Sequence, residues 1–292
     1  MMNNPKPISE FLVPGKRAHL VGIGGVSMSP LAEVLHGAGV TITGSDMHDS
    51  ETVEHLRSLG IPVVIGHRGE SVQGAGCVIR TAAVHDDNPE IAAARAAGIP
   101  VFERAEAWGA IMRHYQNALC VAGTHGKTTT TSMCTQIFLA AQRDPTVMIG
   151  GTLPALGAGH RVGKGDTIIL ESCEYCNSFL SFFPTVAVIL NVDADHLDFF
   201  KDLEDVKHPF RRFAQLVPEG GAVIADGDDA NTMDALKGLE KPILTFGLEQ
   251  GDIHAADLTY ERGVGSFNLI YQGENLGRIT LQVPGVHNVR NA

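Results

Sequence analysis

The sequence is poor in aromatic and basic residues and has no long apolar run. Aromatic residues make up 6%, and 22 Lys and Arg stand against 33 Asp and Glu, for a net charge of -11. Sequence-independent binding to nucleic acid relies on Lys and Arg that neutralise phosphates, so this balance argues against that class. No run approaches the roughly 20 apolar residues of a membrane span, and residues 1–16 lack the apolar core of a signal peptide. We expect a soluble protein whose few basic residues can still hold a small anion.

The sequence also lacks a disulfide framework. Its cysteines are odd in number and do not show the spacing of small secreted domains: Cys77, Cys120, Cys134, Cys173 and Cys176. This usage predicts a reducing, cytoplasmic environment. The single C-x-x-C pair lies in a Glu-rich stretch with no second pair after it, which disfavours a zinc or redox role.

Glycine, in contrast, is abundant. Thirty-three glycines and 44% hydrophobic residues in a chain of 292 fit an α/β protein with many tight strand-to-helix turns. The length favours two domains over one. We place an N-terminal Rossmann-like domain at residues 1–114 and a P-loop-type α/β domain at residues 115–292.

Hydrophobic periodicity predicts alternating strands and helices, and therefore a parallel, doubly wound sheet. In the first half we predict strands at 18–23, 40–43, 62–65 and 77–80, and helices at 28–36, 52–59, 90–97 and 103–117. In the second half we predict strands at 118–122, 167–170, 186–191 and 222–225, helices at 129–141 and 207–216, a glycine-rich loop at 150–165, edge strands within 243–283, and a helix that starts near 286.

The strongest chemical signal is a glycine loop between a predicted strand and a predicted helix, with the sequence Gly123-Thr124-His125-Gly126-Lys127-Thr128. Backbone N–H groups at such a helix start can hold phosphates. Lys127 would neutralise phosphate charge and Thr128 would ligate Mg²⁺. Only two residues separate the glycines, whereas the usual P-loop has four. A plain turn with an exposed lysine is the alternative, but the flanking strand and the run of threonines favour nucleotide binding.

A second glycine turn follows the first predicted strand, with the sequence Gly22-Ile23-Gly24-Gly25-Val26-Ser27. It is similar to a dinucleotide fingerprint whose last glycine is Ser27, and Asp46 lies at a suitable distance downstream. Both NAD and a UDP-sugar present a diphosphate to such a turn. The turn is also compatible with having no ligand at all.

Acidic residues and a histidine follow two buried strands of the second half. Glu171 follows one of them, and Asp193, Asp195, His196 and Asp198 follow the other. Residues just past the carboxyl ends of parallel strands line the ligand crevice, so Glu171 and His196 are candidate metal ligands near Lys127. Mg²⁺ prefers Glu171, and His196 is a less usual ligand. A solvated acidic loop is the alternative.

Together these motifs resemble the Mur ligase family, whose ATP-dependent members extend the peptide of peptidoglycan precursors. The two glycine turns and His125 are similar to those of the alanine-adding branch. The segments that begin at Glu171 and Asn191 resemble the family's metal-site segments, and the segment that begins at Val286 resembles its adenine-contacting helix. The resemblance covers nearly all of the chain.

The resemblance implies a reaction and a set of substrates. The lactyl carboxylate of UDP-N-acetylmuramate attacks the γ-phosphate of ATP, and the amine of L-alanine then displaces phosphate from the acyl phosphate. Such chemistry depends on positioning and charge neutralisation. Catalysis is implied for Lys127, Glu171 and His196.

The resemblance also implies the binding residues. It assigns Mg²⁺ to Thr128, Glu171 and His196. It assigns ATP to Gly123, Thr124, His125, Gly126, Lys127, Thr128, Thr129, His287, Asn288 and Asn291. It assigns the UDP-sugar to Gly22, Gly24, Gly25 and Ser27, with Asp46, His67 and Thr81 near the uridine.

The sequence departs from the family pattern in two places. Cys176 stands where many relatives have an acidic residue, and we assign it no role. No counterpart of the family's third, amino-acid-binding domain is present, so we expect this chain to bind substrates without completing the ligation.

Three other interpretations stay open. A murein-peptide recycling ligase shares the His-containing ATP loop and takes a tripeptide in place of alanine, although Gly24, Gly25, Met28 and Ser29 favour the alanine branch. An NAD-dependent oxidoreductase would explain the first turn and Asp46 but not the Lys127 loop. The third interpretation is a non-catalytic UDP-sugar-binding module.

Overall fold

The computed structural model describes residues 6–248 and 250–292. Internal contacts divide the chain into two compact units. The first contains the described residues up to His114 together with Gly159–Val162, and the second contains Tyr115–Ala158 and Gly163–Ala292.

The first unit is built on a parallel sheet of five strands in the order β3-β2-β1-β4-β5. Because the chain order reverses beside β1, the crevice at the carboxyl ends of β1 and β4 is the expected ligand position in such a sheet. The strands are β1 (Arg17–Val21), β2 (Thr41–Asp46), β3 (Val63–Ile65), β4 (Cys77–Arg80) and β5 (Val101–Glu103).

The first unit also has four helices, and in three of them the side chain of the residue just before the helix caps its start. Ser50 accepts a hydrogen bond from the N–H of Val53, Asn88 accepts one from Glu90, and Glu103 forms a capping box with Glu106. These bonds satisfy backbone donors that a helix start leaves without partners. The helices are α1 (Ser29–Gly37), α2 (Glu51–Ser58), α3 (Pro89–Ala96) and α4 (Arg104–Met112).

The other sheet has ten strands in the order β15-β14-β13-β12-β11-β10-β6-β9-β7-β8, and all of them except most of β8 belong to the second unit. The pairs from β7 through β9, β6, β10, β11 and β12 to β13 are parallel, and β13, β14 and β15 form an antiparallel edge. The strands are β6 (Asn117–Ala122), β7 (Thr146–Leu153), β8 (Ala158–Arg161), β9 (Thr167–Glu171), β10 (Val186–Ile189), β11 (Ala222–Asp226), β12 (Ile243–Gly247), β13 (Ile253–Glu261), β14 (Val264–Tyr271) and β15 (Glu274–Pro284).

The helices of the second unit are α5 (Lys127–Ala140), α6 (Leu203–Gln215), α7 (Ala230–Ala235) and α8 (Val286–Asn291). Asp202, the residue before α6, caps this helix, because its carboxylate accepts the N–H of Asp205 at 3.0 Å. Its apolar face buries Phe210 and Phe213. Phe179, from a 3₁₀ turn at Tyr175–Ser181, stacks on Phe213 at 4.6 Å between ring centroids and fixes this turn against α6.

The α/β fold with an N-terminal parallel sheet is confirmed. The helix predicted over residues 103–117 is wrong at its end, because α4 stops at Met112 and Asn117 already belongs to β6. There the Asn117 N–H donates to Asp166 O, so strand pairing overrides helical periodicity. Among the described residues, no helix is long and apolar enough to cross a membrane.

The loop predicted over residues 150–165 is also wrong, because β7 runs to Leu153 and β8 follows. The glycines of this stretch indicated a loop. In the structure Gly150 lies inside a strand, where an added Cβ would lie 2.6 Å from a carboxylate oxygen of Glu171. Glycine here permits a close approach and does not end the strand.

The aromatic cluster against α6 leads to a stability prediction. Phe213 is fully buried, so Phe213→Ala should lower the free energy of unfolding by about 3–5 kcal/mol. Phe183→Ala is the control, since Phe183 is 39% exposed, and it should cost about 1 kcal/mol. Urea unfolding followed by circular dichroism measures both. Equal losses in the two variants would contradict the assigned packing.

Candidate functional site

The glycine loop of the second unit joins β6 to α5 and has a conformation that only glycine accepts easily. Gly123 has φ 146°, and Gly126, which caps α5, has φ 85°. A Cβ at Gly123 would lie 2.9 Å from the Cβ of Leu190, just past the end of β10. The loop therefore rests directly on the carboxyl end of a neighbouring strand, with the start of α5 beside it.

Asn191 fixes the loop from the end of β10. Its side-chain oxygen accepts the N–H of His125 at 2.7 Å, and its amide nitrogen donates to the His125 carbonyl at 3.0 Å. Its backbone carbonyl accepts the N–H of Thr124 at 3.1 Å. Three hydrogen bonds to two consecutive residues preorganise the loop, and Asn191 was not a predicted site residue.

Lys127 lies folded over the loop. Its Nζ donates to the carbonyls of Gly123 and Thr124 and lies 3.0 Å from a carboxylate oxygen of Glu174. The Glu174 side chain is 1% exposed, so this is a buried ion pair. Glu174 was also missed by the sequence analysis. The only available signal was that it follows Glu171 by three residues in the same segment.

Thr128 and Glu171 lie together as predicted for a metal site. The Thr128 hydroxyl donates to Glu171 Oε1 at 3.1 Å, and the Gly150 N–H donates to Glu171 Oε2 at 2.6 Å. Mg²⁺ in phosphate sites takes one or two protein oxygens and completes its shell with phosphates and water. This oxygen pair fits that requirement. In the described part of the chain, no group of three His, Cys, Asp or Glu side chains forms a metal cluster by itself.

His196 lies on the other side of Lys127, near Glu174. Its Nε2 is 3.9 Å from Glu174 Oε1, and its ring packs on Tyr175 at 4.8 Å. Its φ of 52° is unusual for a residue with a side chain. The Asp195 carboxylate accepts the His196 N–H, and this bond holds the pKa of Asp195 below its usual value.

The predicted adenine residues lie on α8, next to the loop. The Asn291 carbonyl accepts the hydroxyl of Thr130 at 3.1 Å, and a Cβ at Gly126 would lie 2.6 Å from Asn291 Oδ1. His287 is exposed. Asn288 is buried, and its amide donates to the Pro284 carbonyl at 2.6 Å, so this side chain already has a structural partner.

The second glycine turn follows β1 in the first unit. Gly22 has φ 77°, and the Gly24 N–H donates to the carboxylate of Asp46 at 2.8 Å. Gly25 is exposed, and Ser27 is held at its hydroxyl by Arg104 and at its carbonyl by the indole of Trp108. The turn is thus anchored at both ends.

The weaker uridine candidates lie at the carboxyl ends of three strands. Asp46 ends β2, His67 follows β3, and Thr81 follows β4, where its methyl carbon is 3.2 Å from a Cβ built on Gly22. His67 Nδ1 is 2.9 Å from the hydroxyl of Ser45 and 3.2 Å from buried Glu90. Glu90 was not predicted, because a glutamate in the first turn of a helix is common for capping reasons alone.

The five cysteines are free. Burial raises the pKa of Cys77 and of Cys120 to about 12, so both thiols stay protonated at neutral pH. Cys173 has a raised pKa for the same reason, and Cys176 is exposed.

Comparisons with known proteins agree with this geometry. The model of the Mur ligase middle domain matches residues 121–292, and that of the Mur ligase family catalytic domain matches residues 17–116. The chain is 51% identical over 279 residues to a UDP-N-acetylmuramate–L-alanine ligase of Caldanaerobacter subterraneus and 46% identical over 280 residues to one of Acetivibrio thermocellus. Each match covers 95% of this chain, which spans 61% and 60% of the lengths of those two relatives.

Two solved structures are also similar. The UDP-N-acetylmuramate-alanine ligase of Thermotoga maritima is 29% identical with a TM-score of 0.80, and the match covers 94% of this chain and 62% of that one. The UDP-N-acetylmuramate:L-alanyl-gamma-D-glutamyl-meso-diaminopimelate ligase of Neisseria meningitides is 28% identical with a TM-score of 0.85, and covers 94% and 90%. The two family models together account for both units, and the chain belongs to the Mur ligase family.

Proposed function

We propose that this chain carries the UDP-sugar- and ATP-binding parts of a ligase that joins L-alanine to UDP-N-acetylmuramate in peptidoglycan precursor synthesis. The observation that carries the proposal is the loop whose Lys127 and Thr128 face the carboxylates of Glu174 and Glu171. Two relatives at 51% and 46% identity bear the name of the alanine-adding ligase, which supports the choice of substrates.

The reaction proceeds in two steps. The lactyl carboxylate oxygen of UDP-N-acetylmuramate attacks the γ-phosphorus of ATP, the bond to the ADP oxygen breaks, and an acyl phosphate forms. The amine of L-alanine then attacks the acyl carbon, phosphate leaves, and the amine loses a proton. Lys127 leaves Glu174 to neutralise the charge of the transferring phosphoryl group, while backbone N–H groups at the start of α5 hold the phosphates.

Thr128 and Glu171 would hold Mg²⁺. When bound, the ion neutralises charge on the phosphate oxygens. The 3.1 Å contact between the two side chains supports this assignment, because both oxygens already point to one place. His196 is assigned to a second metal position near the acyl phosphate. Its Nε2 lies 3.9 Å from Glu174, the carboxylate that also pairs with Lys127.

The two nucleotides have separate binding residues. His287, Asn288 and Asn291 are assigned to the adenine, supported by the contact of α8 with Thr130 in the loop helix. In the first unit, the turn from Gly22 to Ser27 receives the UDP diphosphate at the start of α1. Asp46, His67 and Thr81 surround the uridine.

A recycling ligase that transfers a tripeptide is the second candidate, favoured by the TM-score of 0.85 with the Neisseria enzyme. Both candidates use UDP-N-acetylmuramate and ATP, so they differ only in the amine. The higher identity to alanine-adding relatives supports L-alanine.

The first ligand-binding prediction concerns which nucleotides the chain binds. Isothermal titration calorimetry with UDP-N-acetylmuramate should give micromolar binding, and ATP with Mg²⁺ should bind as a second, independent ligand. NADH should give no heat, because the proposal assigns the residues beside the first turn to a uridine and not to a dinucleotide. Binding of NADH without binding of the UDP-sugar would overturn the ligase proposal.

The second prediction concerns Lys127. Lys127→Met should weaken ATP binding about a hundredfold, since it removes a charge-assisted contact and leaves buried Glu174 to repel the phosphates. Lys207→Met is the matched control, because Lys207 pairs with Glu204 and Asp234 at 2.7 Å in the same unit. Calorimetry with ATP and Mg²⁺ measures both. If the two variants bind ATP equally well, Lys127 has no phosphate role.

The third prediction concerns Glu171. In Glu171→Gln, the amide oxygen can keep the bond from Gly150 N–H while the amide nitrogen replaces the metal-facing oxygen. The Mg²⁺ concentration that half-saturates ATP binding should rise about tenfold, and ATP binding in EDTA should stay unchanged. Glu204→Gln should not alter the Mg²⁺ dependence. An unchanged dependence in Glu171→Gln would remove Glu171 from the metal site.

A further inference from the structure

A buried polar cluster in the first unit has no role in phosphate transfer. It joins Glu90 of α3 to Ser45 of β2 and to His67 after β3. We infer that this cluster holds His67 as a hydrogen-bond acceptor for the N3–H of uracil, so that the site selects uridine over cytidine nucleotides. Glu90 is then a positioning residue, and His67 is the residue that contacts the base. The inference rests on the proposed binding of a UDP-sugar in this unit.

The hydrogen bonds of the cluster determine which ring nitrogen of His67 carries the proton. The Ser45 hydroxyl donates to Glu90 Oε2 at 2.5 Å, so the Ser45 oxygen is left to accept. His67 Nδ1 is 2.9 Å from that oxygen and 3.2 Å from Glu90 Oε2. Both neighbours of Nδ1 are acceptors, and Nδ1 must therefore be the donor. A neutral His67 then has Nε2 as an acceptor.

Glu90 is ionised in this arrangement. Its side chain is fully buried, and burial opposes ionisation, but the nearby His19 ring and the hydrogen bond from Ser45 outweigh burial and hold the pKa of Glu90 below its usual value. Glu90 Oε1 accepts the Arg68 N–H at 3.3 Å and lies 3.6 Å from His19 Nε2. Oε1 is therefore the oxygen bonded to the backbone, and Oε2 is the oxygen that contacts Ser45 and His67.

The position of His67 fits the base of a nucleotide. The diphosphate turn follows β1, Asp46 ends the adjacent β2, and His67 follows β3, the next strand along the same edge. A nucleotide that starts at the turn and runs along this edge passes its ribose beside Asp46 and brings its base to His67. The His67 side chain is 12% exposed, and within the described residues no hydrogen bond involves its Nε2.

The two pyrimidines differ at the atom that this acceptor would contact. Uracil carries a proton on N3, whereas the N3 of cytosine is itself an acceptor. Two acceptors facing each other leave both groups without a partner, and such sites discriminate strongly between analogues.

Glu90→Gln tests the inference because the cluster dictates how the amide sits. The Arg68 N–H at Oε1 requires the amide oxygen there, so the amide nitrogen faces Ser45 and donates to it. The Ser45 hydroxyl can then donate to His67 Nδ1, and the ring proton moves to Nε2. His67 becomes a donor at the outward nitrogen, which suits cytosine N3 and opposes uracil N3–H.

The experiment is calorimetry with UDP and with CDP on the wild type, on Glu90→Gln and on Glu33→Gln. Glu33 is the matched control, a half-buried carboxylate 3.3 Å from His55 in the same unit. The wild type and Glu33→Gln should bind UDP at least about tenfold more tightly than CDP, and Glu90→Gln should lose most of this preference. The ratio of the two affinities does not depend on the fraction of folded protein, so lower stability of the variant leaves it intact.

Nitrogen-15 NMR of the His67 ring gives a second readout without ligand. The wild type should show the Nδ1–H form and Glu90→Gln the Nε2–H form. An Nε2–H form in the wild type, or an unchanged UDP to CDP ratio in Glu90→Gln, overturns the inference. Wild-type protein that binds UDP and CDP equally also overturns it while the proposed function stands. No binding of UDP or of UDP-N-acetylmuramate to the wild type overturns the proposed function itself.

Discussion

The position of the phosphate loop depends on the close approach of Gly123 to the end of β10. An added Cβ would lie 2.9 Å from Leu190 Cβ and 3.2 Å from the Asn191 nitrogen, so any side chain at position 123 would lift the loop from the sheet. With the loop in place, Asn191 can reach both backbone groups of His125. The start of α5 then faces the end of β9, which brings Lys127 to Glu174 and Thr128 to Glu171.

The Lys127–Glu174 pair balances the charge of this site before a nucleotide arrives. Glu174 is buried, and a buried carboxylate without a cation is strongly destabilising. In a protein with a net charge of -11, a lysine held inside the loop also gives a triphosphate a local positive charge. Phosphate binding must exchange one ion pair for another, so part of the attraction between Lys127 and the nucleotide is offset by the loss of the contact with Glu174.

The sequence predicted the elements whose signal is local and missed those set by distant contacts. The glycine turns at Gly22 and Gly123 identified the two candidate nucleotide sites, because a positive φ and a close approach demand glycine in any context. Gly150 led to the wrong prediction of a loop, because glycine is required there by the carboxylate of Glu171, 21 residues away. Glu90 and Glu174 were missed for the same reason. Their partners lie far away in the sequence, and a glutamate near a helix or a 3₁₀ turn has no local sequence signal of burial.

The buried carboxylates Glu174 and Glu90 differ in the number of donors that contact each of them, and this difference distinguishes the two proposed sites. Glu174 faces Lys127 on a long flexible side chain, which can move to a phosphate while remaining charged. Glu90 accepts hydrogen bonds from Ser45, His67 and the Arg68 N–H and lies near His19. Binding of one ligand therefore cannot remove all of its partners. In the proposed function, Lys127 therefore exchanges Glu174 for a phosphate when ATP binds. The cluster at His67 instead stays fixed, and a fixed acceptor penalises a mismatched base because neither partner can rearrange to form the missing hydrogen bond.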